Sequence, residues 1–177
     1  MIRASQFWLL LPLLLAGCSG YPRFLGPNVD PSGSGLNSTY ADENPQIGPE
    51  GRFVLFTSDR KGSRDVFLYD NQNQRLLEMP GLNGLDSLTS HPVASADAKW
   101  LVFAANRQGR AGIYLYNRET QQLQNLTQGL NSDVRNPTIS ADGSTIAFES
   151  SVGGQWDILV YNRATGQPLE NLPLAPR

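Results

Sequence analysis

The chain of 177 residues contains only one cysteine and one histidine. A single cysteine cannot form an internal disulfide, and structural zinc sites need several His or Cys ligands. The sequence also has no Gly-x-Ser-x-Gly elbow, glycine-rich phosphate loop or D-x-D-x-D-G calcium loop. A Ser-His-Asp arrangement would have to use His91, whose place before a proline favours a side chain that caps a turn. The sequence therefore predicts no catalytic residue, no metal and no cofactor.

The chain also lacks a strong charge excess, with 14 Lys and Arg against 16 Asp and Glu. The arginines are scattered, whereas a phosphate-binding face requires clustered cations. Nucleic acid is therefore not an expected partner. The carboxylates do not indicate an acid-base pair either, because Asp97 and Asp142, like Asp65 and Asp157, recur at matching positions of a repeat.

Long apolar runs are absent except near the start, where Phe7 to Leu15 is interrupted by Pro12. This run is too short to cross about 30 Å of hydrocarbon as a helix, and it is typical of a secretory signal. The following Leu-Ala-Gly-Cys, which ends at Cys18, resembles the bacterial lipobox. The resemblance implies cleavage of a signal peptide, residues 1–17, and diacylglycerol on the Cys18 thiol. An ordinary secretory signal followed by an incidental cysteine is the alternative.

Residues 18–43 are rich in Gly, Pro, Ser and Asn. A segment of this composition buries too little apolar surface to offset its ordering entropy, so we expect a flexible tether between lipid and domain. Ser19, rather than Asp, follows the cysteine. By the lipoprotein resemblance, this favours the outer membrane, with the domain facing the periplasm.

The rest of the chain, 44–177, carries one pattern three times, in copies at about 44–90, 91–135 and 136–177. Equivalent residues are separated by 47 and then 45 positions. The anchors are Pro45, Pro92 and Pro137, then Phe56, Phe103 and Phe148, then Tyr69, Tyr116 and Tyr161. This period is typical of four-stranded propeller blades. Residues 22–25 offer a further strand, because they precede Gly35-Leu36-Asn37 much as later fourth strands precede Gly81-Leu82-Asn83 and Gly129-Leu130-Asn131.

Each copy predicts four short strands. A proline opens the first, and a tight turn at Gly51, Ala98 or Gly143 leads to the second. The second strands are nearly continuous apolar runs, which indicates burial on both faces. The predicted second, third and fourth strands are 53–56, 65–69 and 75–77, then 100–103, 112–116 and 122–126, then 145–148, 157–161 and 169–172. The predicted fold class is all-β, with three four-stranded propeller-type blades.

The segment N-P-T-I-S-A-D-G-S-T-I-A-F-E-S, followed by D-I-L-V-Y-N, resembles the blade repeat of TolB-like propellers. That family has six blades, and this chain encodes three. Open blade faces near Phe53, Val54, Ile146 and Phe148 would then be association sites. We expect a homodimer that completes a six-bladed ring, or docking on another protein. An open monomer capped by the N-terminal segment is the remaining alternative.

The resemblance implies a non-catalytic binding or scaffolding module for cell-envelope proteins, lipoproteins among them, anchored to the membrane through Cys18. The alternatives are a glycan- or peptide-acting envelope enzyme and a small-ligand sensor. The candidate partner or ligand contacts are Trp156 and its repeat counterpart Arg64, together with Arg60 and Arg107. The last two lie at matching loop positions and resemble the Ser-Asp-Arg of the family repeat.

Overall fold

The computed structural model describes residues 28–48, 51–84 and 87–168. Within these ranges, twelve strands form three antiparallel four-stranded sheets, each in chain order. Blade 1 contains β1 (Asp42–Ile47), β2 (Phe53–Ser58), β3 (Asp65–Asp70) and β4 (Arg75–Leu77). Blade 2 contains β5 (Ser87–Ala94), β6 (Trp100–Arg107), β7 (Arg110–Asn117) and β8 (Gln122–Asn125). Blade 3 contains β9 (Val134–Ile139), β10 (Thr145–Ser150), β11 (Asp157–Asn162) and β12 (Gln167–Pro168).

This architecture confirms the predicted fold class of three propeller-type blades. The fourth strand predicted at 169–172 lies outside the described residues, as does the further strand expected at 22–25. A short 3-10 turn, Val152–Gly154, connects β10 to β11. The first strands β1, β5 and β9 pack side by side, so blade 2 lies between blades 1 and 3.

The residue before each repeat proline adopts a left-handed backbone conformation, with φ of 51° at Asn44, 48° at His91 and 50° at Asn136. The pairing of the first and second strands shifts register in every blade at this place. Such a shift is a β-bulge, and asparagine tolerates positive φ better than most residues. The expectation that His91 caps a turn is therefore corrected, since this position forms a bulge inside the first strand.

Two apolar layers join the three blades. Between blades 1 and 2, Leu55, Val66 and Leu68 pack against Leu101, Phe103 and Tyr116, all of them buried. Each large apolar side chain contributes about 1.5–3 kcal/mol when fully buried. The interface, rather than the single sheet, is thus the unit that stabilises the array.

Between blades 2 and 3, the opposite faces of β6 and β7 meet blade 3. There Val102, Ile113 and Leu115 pack against Ile146 and Phe148. The expectation that Ile146 and Phe148 lie near an open face is wrong, since they are 0 % and 5 % exposed. Side chains alternate between the two faces of a strand, and these two point toward blade 2.

The outward face of blade 1, the first-blade face, consists of Phe56, Phe67 and Tyr69, which are 2 %, 5 % and 9 % exposed. Leu36 packs against this face, and so does Val54. The predicted exposure near Val54 is therefore also wrong. Phe53, in turn, packs against the layer between blades 1 and 2.

Arg60 fixes the segment before β1 in place. Its guanidinium donates hydrogen bonds to the carbonyl oxygens of Gly33, Gly35 and Leu36, at 2.8–3.0 Å, and pairs with the Asp42 carboxylate. Residues 28–43 are thus ordered against blade 1, which corrects the flexible tether expected over 18–43 for this part. Residues 18–27 lie outside the described ranges.

Candidate functional site: the outward face of blade 3

The candidate site is the face of blade 3 that points away from blade 2. We call it the third-blade face and define it as Arg135, Ala147, Glu149, Trp156, Ile158 and Val160. Pairing within the sheet sets these residues side by side, because Ala147 lies opposite Val160 and Glu149 opposite both Ile158 and Arg135. Directly opposed residues in an antiparallel sheet share one face.

The exposure of this face differs from that of its repeat equivalent in blade 2. Ile113, the counterpart of Ile158, is completely buried under blade 3, whereas Ile158 is 53 % exposed. Trp156 is 44 % exposed beside it. Blade 3 therefore presents to solvent an apolar surface that the preceding blade buries against its neighbour. Surfaces of this kind mark interaction sites.

A charged network occupies one side of the third-blade face. The Arg135 Nε donates to Glu149 Oε2 at 2.6 Å, and the Asn136 amide donates to Glu149 Oε1 at 2.9 Å. These two bonds hold the pKa of Glu149 below its ordinary value, and the bond from Asn136 has the larger effect. The Arg135 guanidinium carbon also lies 3.8 Å from the centre of a Trp156 ring. Arg135 is therefore held between a carboxylate and an aromatic ring.

The structure does not bring the four predicted contact residues together. Trp156 lies on the third-blade face, while Arg60 is inside blade 1 with a side chain only 3 % exposed. Since its donors are taken by backbone carbonyls and Asp42, Arg60 serves the fold instead of an exposed contact surface. Cys18 lies outside the described residues.

The other two arginines lie on different parts of the molecule. Arg64 is 37 % exposed and paired with Glu43 at 3.3 Å and with Asp59 at 3.4 Å. Arg107 stacks on the Tyr114 ring, with its guanidinium carbon 4.7 Å from the ring centre. Residues at equivalent positions of different repeats therefore lie on different blades and do not form one site.

Sequence reasoning missed Arg135, Glu149 and Ile158 as members of the site. Glu149 is the repeat counterpart of Ala104, which lies 45 residues earlier and is buried between blades. A carboxylate at a position that is apolar in the preceding copy was the available signal. It indicates that this face of the last blade is not packed as its counterpart is.

Among residues 28–48, 51–84 and 87–168, no group of three or more His, Cys, Asp or Glu side chains could hold a metal ion. The same described ranges contain no helix long and apolar enough to cross a membrane.

The three sheets are blades of a β-propeller, and comparison with solved structures defines the type. TolB from Acinetobacter baumannii matches with a TM-score of 0.57 and 25% identity, over 75% of this chain and 32% of that chain. A protein assigned as TolB from Agrobacterium tumefaciens matches with a TM-score of 0.60 and 22% identity, over 76% of this chain and 47% of that chain. The chain therefore has a partial TolB-like β-propeller fold, as the repeat resemblance predicted.

Other matches show how widely this fold is used. The β-propeller domain of the Trilobed protease from Pyrococcus furiosus, described as having an open velcro topology, has a TM-score of 0.55 and 14% identity, over 74% of this chain and 42% of that chain. Oligogalacturonate lyase from Vibrio parahaemolyticus has a TM-score of 0.55 and 13% identity, over 76% of this chain and 41% of that chain. At such identities the likeness shows the fold alone. No protein-family model matches the sequence, and no curated protein matches it significantly.

Proposed function

We propose that this chain is a lipid-anchored module of the bacterial cell envelope that binds another protein and carries out no catalysis. The observation that carries the proposal is the exposed third-blade face, where Ile158 is 53 % exposed although its counterpart Ile113 is buried. The TolB-like fold supports a protein-binding role, and the lipobox at Cys18 supports anchoring, with the domain facing the periplasm from the outer membrane.

A different protein is a better occupant of this face than a second copy of the chain. A ring of two copies would need the third-blade face of one copy to pack on the first-blade face of the other. Phe56, Phe67 and Tyr69 of the first-blade face are already buried, with Leu36 packed against them. Two complementary open faces are thus not available on one chain.

The contact we propose is centred on Trp156 and Ile158. Aromatic side chains and arginines dominate the binding energy of protein interfaces, and Arg135 adds a cation over the Trp156 ring. Arg64 lies away from this centre, where it pairs with Glu43, and it is not part of the proposed contact.

Site-specific photo-cross-linking in intact envelopes tests the proposal. A photoreactive phenylalanine analogue replaces Ile158 in one variant and Leu88, an apolar residue of β5 that is 67 % exposed, in the control. We expect the Ile158 variant to give an adduct with one envelope protein, identified by mass spectrometry, and the Leu88 variant to give none. An adduct only at Leu88, or only between copies of this chain, would contradict the proposed contact.

Anchoring is tested separately with Cys18→Ala. The lipobox predicts that this variant is released from the membrane fraction while its domain stays folded, because only the acyl attachment is lost. Fractionation by ultracentrifugation and circular dichroism measure the two properties. A variant that stays in the membrane fraction would refute lipidation at Cys18.

A further inference from the structure

A second surface lies away from the third-blade face, at the turn between β6 and β7. It is a cleft of about 720 Å³, which we call the arginine cleft. Its lining includes Arg107, Arg110, Asn125, Asn131 and Asp133. The cleft spans the β6–β7 turn of blade 2 and the segment that leads from β8 to β9.

Blade 1 shows what an arginine at this repeat position binds. Arg60 precedes Arg107 by 47 residues. Its Nε donates to the Ser58 hydroxyl at 3.0 Å, and its terminal nitrogens donate to three backbone carbonyls and the Asp42 carboxylate. The acceptors around Arg60 are thus one carboxylate and a short stretch of peptide backbone.

The same set of acceptors is incomplete in blade 2. Ala105 occupies the place of Ser58 and Thr89 the place of Asp42, as the equivalent pairings of β5 with β6 and of β1 with β2 show. Among the described residues, the Arg107 side chain keeps one hydrogen bond, from Nη2 to the carbonyl oxygen of Leu82 at 2.6 Å. The two substitutions therefore remove both the hydroxyl and the carboxylate.

The consequence is an arginine whose Nε has no acceptor among the described residues. Within the described part of the chain, the Nε of Arg107 is buried without a hydrogen-bond partner, and no carboxylate lies within 4.0 Å of its guanidinium. Leaving a charged donor unpaired in a buried setting is costly. The Tyr114 and Phe103 rings, with centres 4.7 Å and 5.8 Å from the guanidinium carbon, keep the group in position.

Arg110 adds a second cation to the cleft. It lies opposite Arg107 in the β6–β7 pairing, and it forms no ion pair or side-chain hydrogen bond with any described residue. Asp133 contributes one negative charge to the lining. The remaining charge of the lining is positive, which favours an anion.

We propose that the arginine cleft binds a carboxylate carried by an acidic segment of another protein, with Arg107 and Arg110 as donors. Arginine suits a carboxylate because its planar fork can donate two parallel hydrogen bonds. The amides of Asn125 and Asn131 line the same cleft and offer partners for the backbone of the segment. This goes beyond the proposed function, because the cleft shares no residue with the third-blade face.

Calorimetric titration of the full-length chain in a non-ionic detergent tests this proposal directly. The probes are three short peptides, Ac-Gly-Glu-Glu-Gly-NH₂, its Gln-Gln counterpart, and the Gln-Gln peptide with a free C-terminal carboxylate. We expect the Glu-Glu peptide to bind at least tenfold more tightly than its neutral counterpart. Binding of only the third peptide would overturn the acidic segment as the occupant, since the ligand group would then be a chain-terminal carboxylate. Equal binding of all three, or preference for inorganic phosphate over any peptide, would overturn the proposal.

Variants locate the binding. Arg110→Gln, which removes an exposed charged side chain, should lower the affinity for the Glu-Glu peptide about tenfold. Arg107→Gln should lower this affinity at least as much. Asp133→Asn should strengthen binding, because it removes the acidic group found among the described lining residues. Arg75→Gln removes an exposed charge outside this cleft and is the control. If Arg75→Gln weakens binding as much as Arg110→Gln, the effect is general charge attraction and the cleft is not the site. The peptides test the isolated protein, so their failure leaves the cross-linking result at Ile158 unaffected.

Discussion

Gly143 lies so close to Trp100 that a Cβ built on the glycine would be 2.6 Å from the indole Cδ1. The contact joins the β9–β10 turn of blade 3 to the start of β6 in blade 2. It is reinforced by Arg163, whose guanidinium carbon lies 4.0 Å from the centre of a Trp100 ring. Close approach of backbone to an aromatic ring thus forms part of the joint between the last two blades.

Gly143→Ala should therefore destabilise the protein. The new methyl group collides with Trp100, and the backbone has φ of +72°, which disfavours any residue with a Cβ. Overpacking of this kind costs about 1–3 kcal/mol, and the left-handed conformation about 1–2 kcal/mol more. Gly109→Ala is the matched control, since its φ is +75° and nothing lies within 4 Å of the added carbon. In urea titrations the free energy of unfolding should fall more for Gly143→Ala than for Gly109→Ala. Equal decreases in the two variants would show that the ring contact does not contribute to stability.

Arg60→Gln should lower the free energy of unfolding more than the same substitution at an exposed arginine does. The substitution leaves the Asp42 carboxylate and three carbonyl groups without their cation. Removing one partner of a buried ion pair costs about 3–5 kcal/mol.

Arg64→Gln is the control for charge, because the Arg64 side chain is 37 % exposed and an exposed pair contributes about 0–1 kcal/mol. Free energies of unfolding from urea titration compare the two variants. A loss below about 1 kcal/mol for Arg60→Gln would contradict the role of this residue in fixing residues 28–43.

Acid should lower the free energy of unfolding through protonation of Asp142. Hydrogen bonds from the Ser140 side chain and from the Ser144 backbone and side chain lower the pKa of Asp142 from 3.8 to about 2. Because the folded pKa is the lower one, this contribution to stability is present above pH 3.8 and is lost as the pH falls toward 2. Asp142→Asn should have a flatter stability profile between pH 4 and pH 2 than the original chain. Identical slopes in urea titrations across that range would show that Asp142 is not linked to folding.

Glu149→Ala should promote self-association. The change removes the carboxylate that holds Arg135, and it makes the third-blade face resemble the apolar face that blade 2 buries. Charged side chains on an exposed sheet face protect against such contacts. Sedimentation velocity over a range of concentrations measures the effect.

Glu119→Ala is the control for the preceding change, because Glu119 pairs with Lys99 on an exposed surface elsewhere. The expected result is a concentration-dependent increase in sedimentation coefficient for the Glu149 variant only. Monomers at every concentration would indicate that the apolar part of the face is too small to associate by itself.

The blade architecture could be predicted because its signals are local and repeat three times. Turn residues such as Gly143 and apolar runs such as 145–148 specify strands wherever they occur, and the observed strand is Thr145–Ser150. The apolar strands also predicted burial on both faces, which Phe103 and Val102 satisfy by packing against blade 1 and blade 3, respectively.

The candidate site could not be predicted in the same way, because it depends on which faces lack a neighbour. Ile146 and Ile158 are both apolar and both lie in blade 3, yet one is buried and the other exposed. Strand alternation determines that they point to opposite faces, but only the assembled array shows which face has a blade beside it. Likewise, the glycine- and serine-rich composition of residues 28–43 gave no sign that Arg60 would bind their carbonyl groups.

The two ends of the array are chemically unlike, since Leu36 packs on the buried rings of one and the other exposes Trp156 and Ile158. An open end that met a complementary open end on every copy would allow head-to-tail addition, giving either a closed ring or an unlimited filament. With one end already covered, only one of the two end faces of the array is open for attachment. Head-to-tail addition through the two end faces is therefore not expected, and a partner on the third-blade face would meet one copy of this chain.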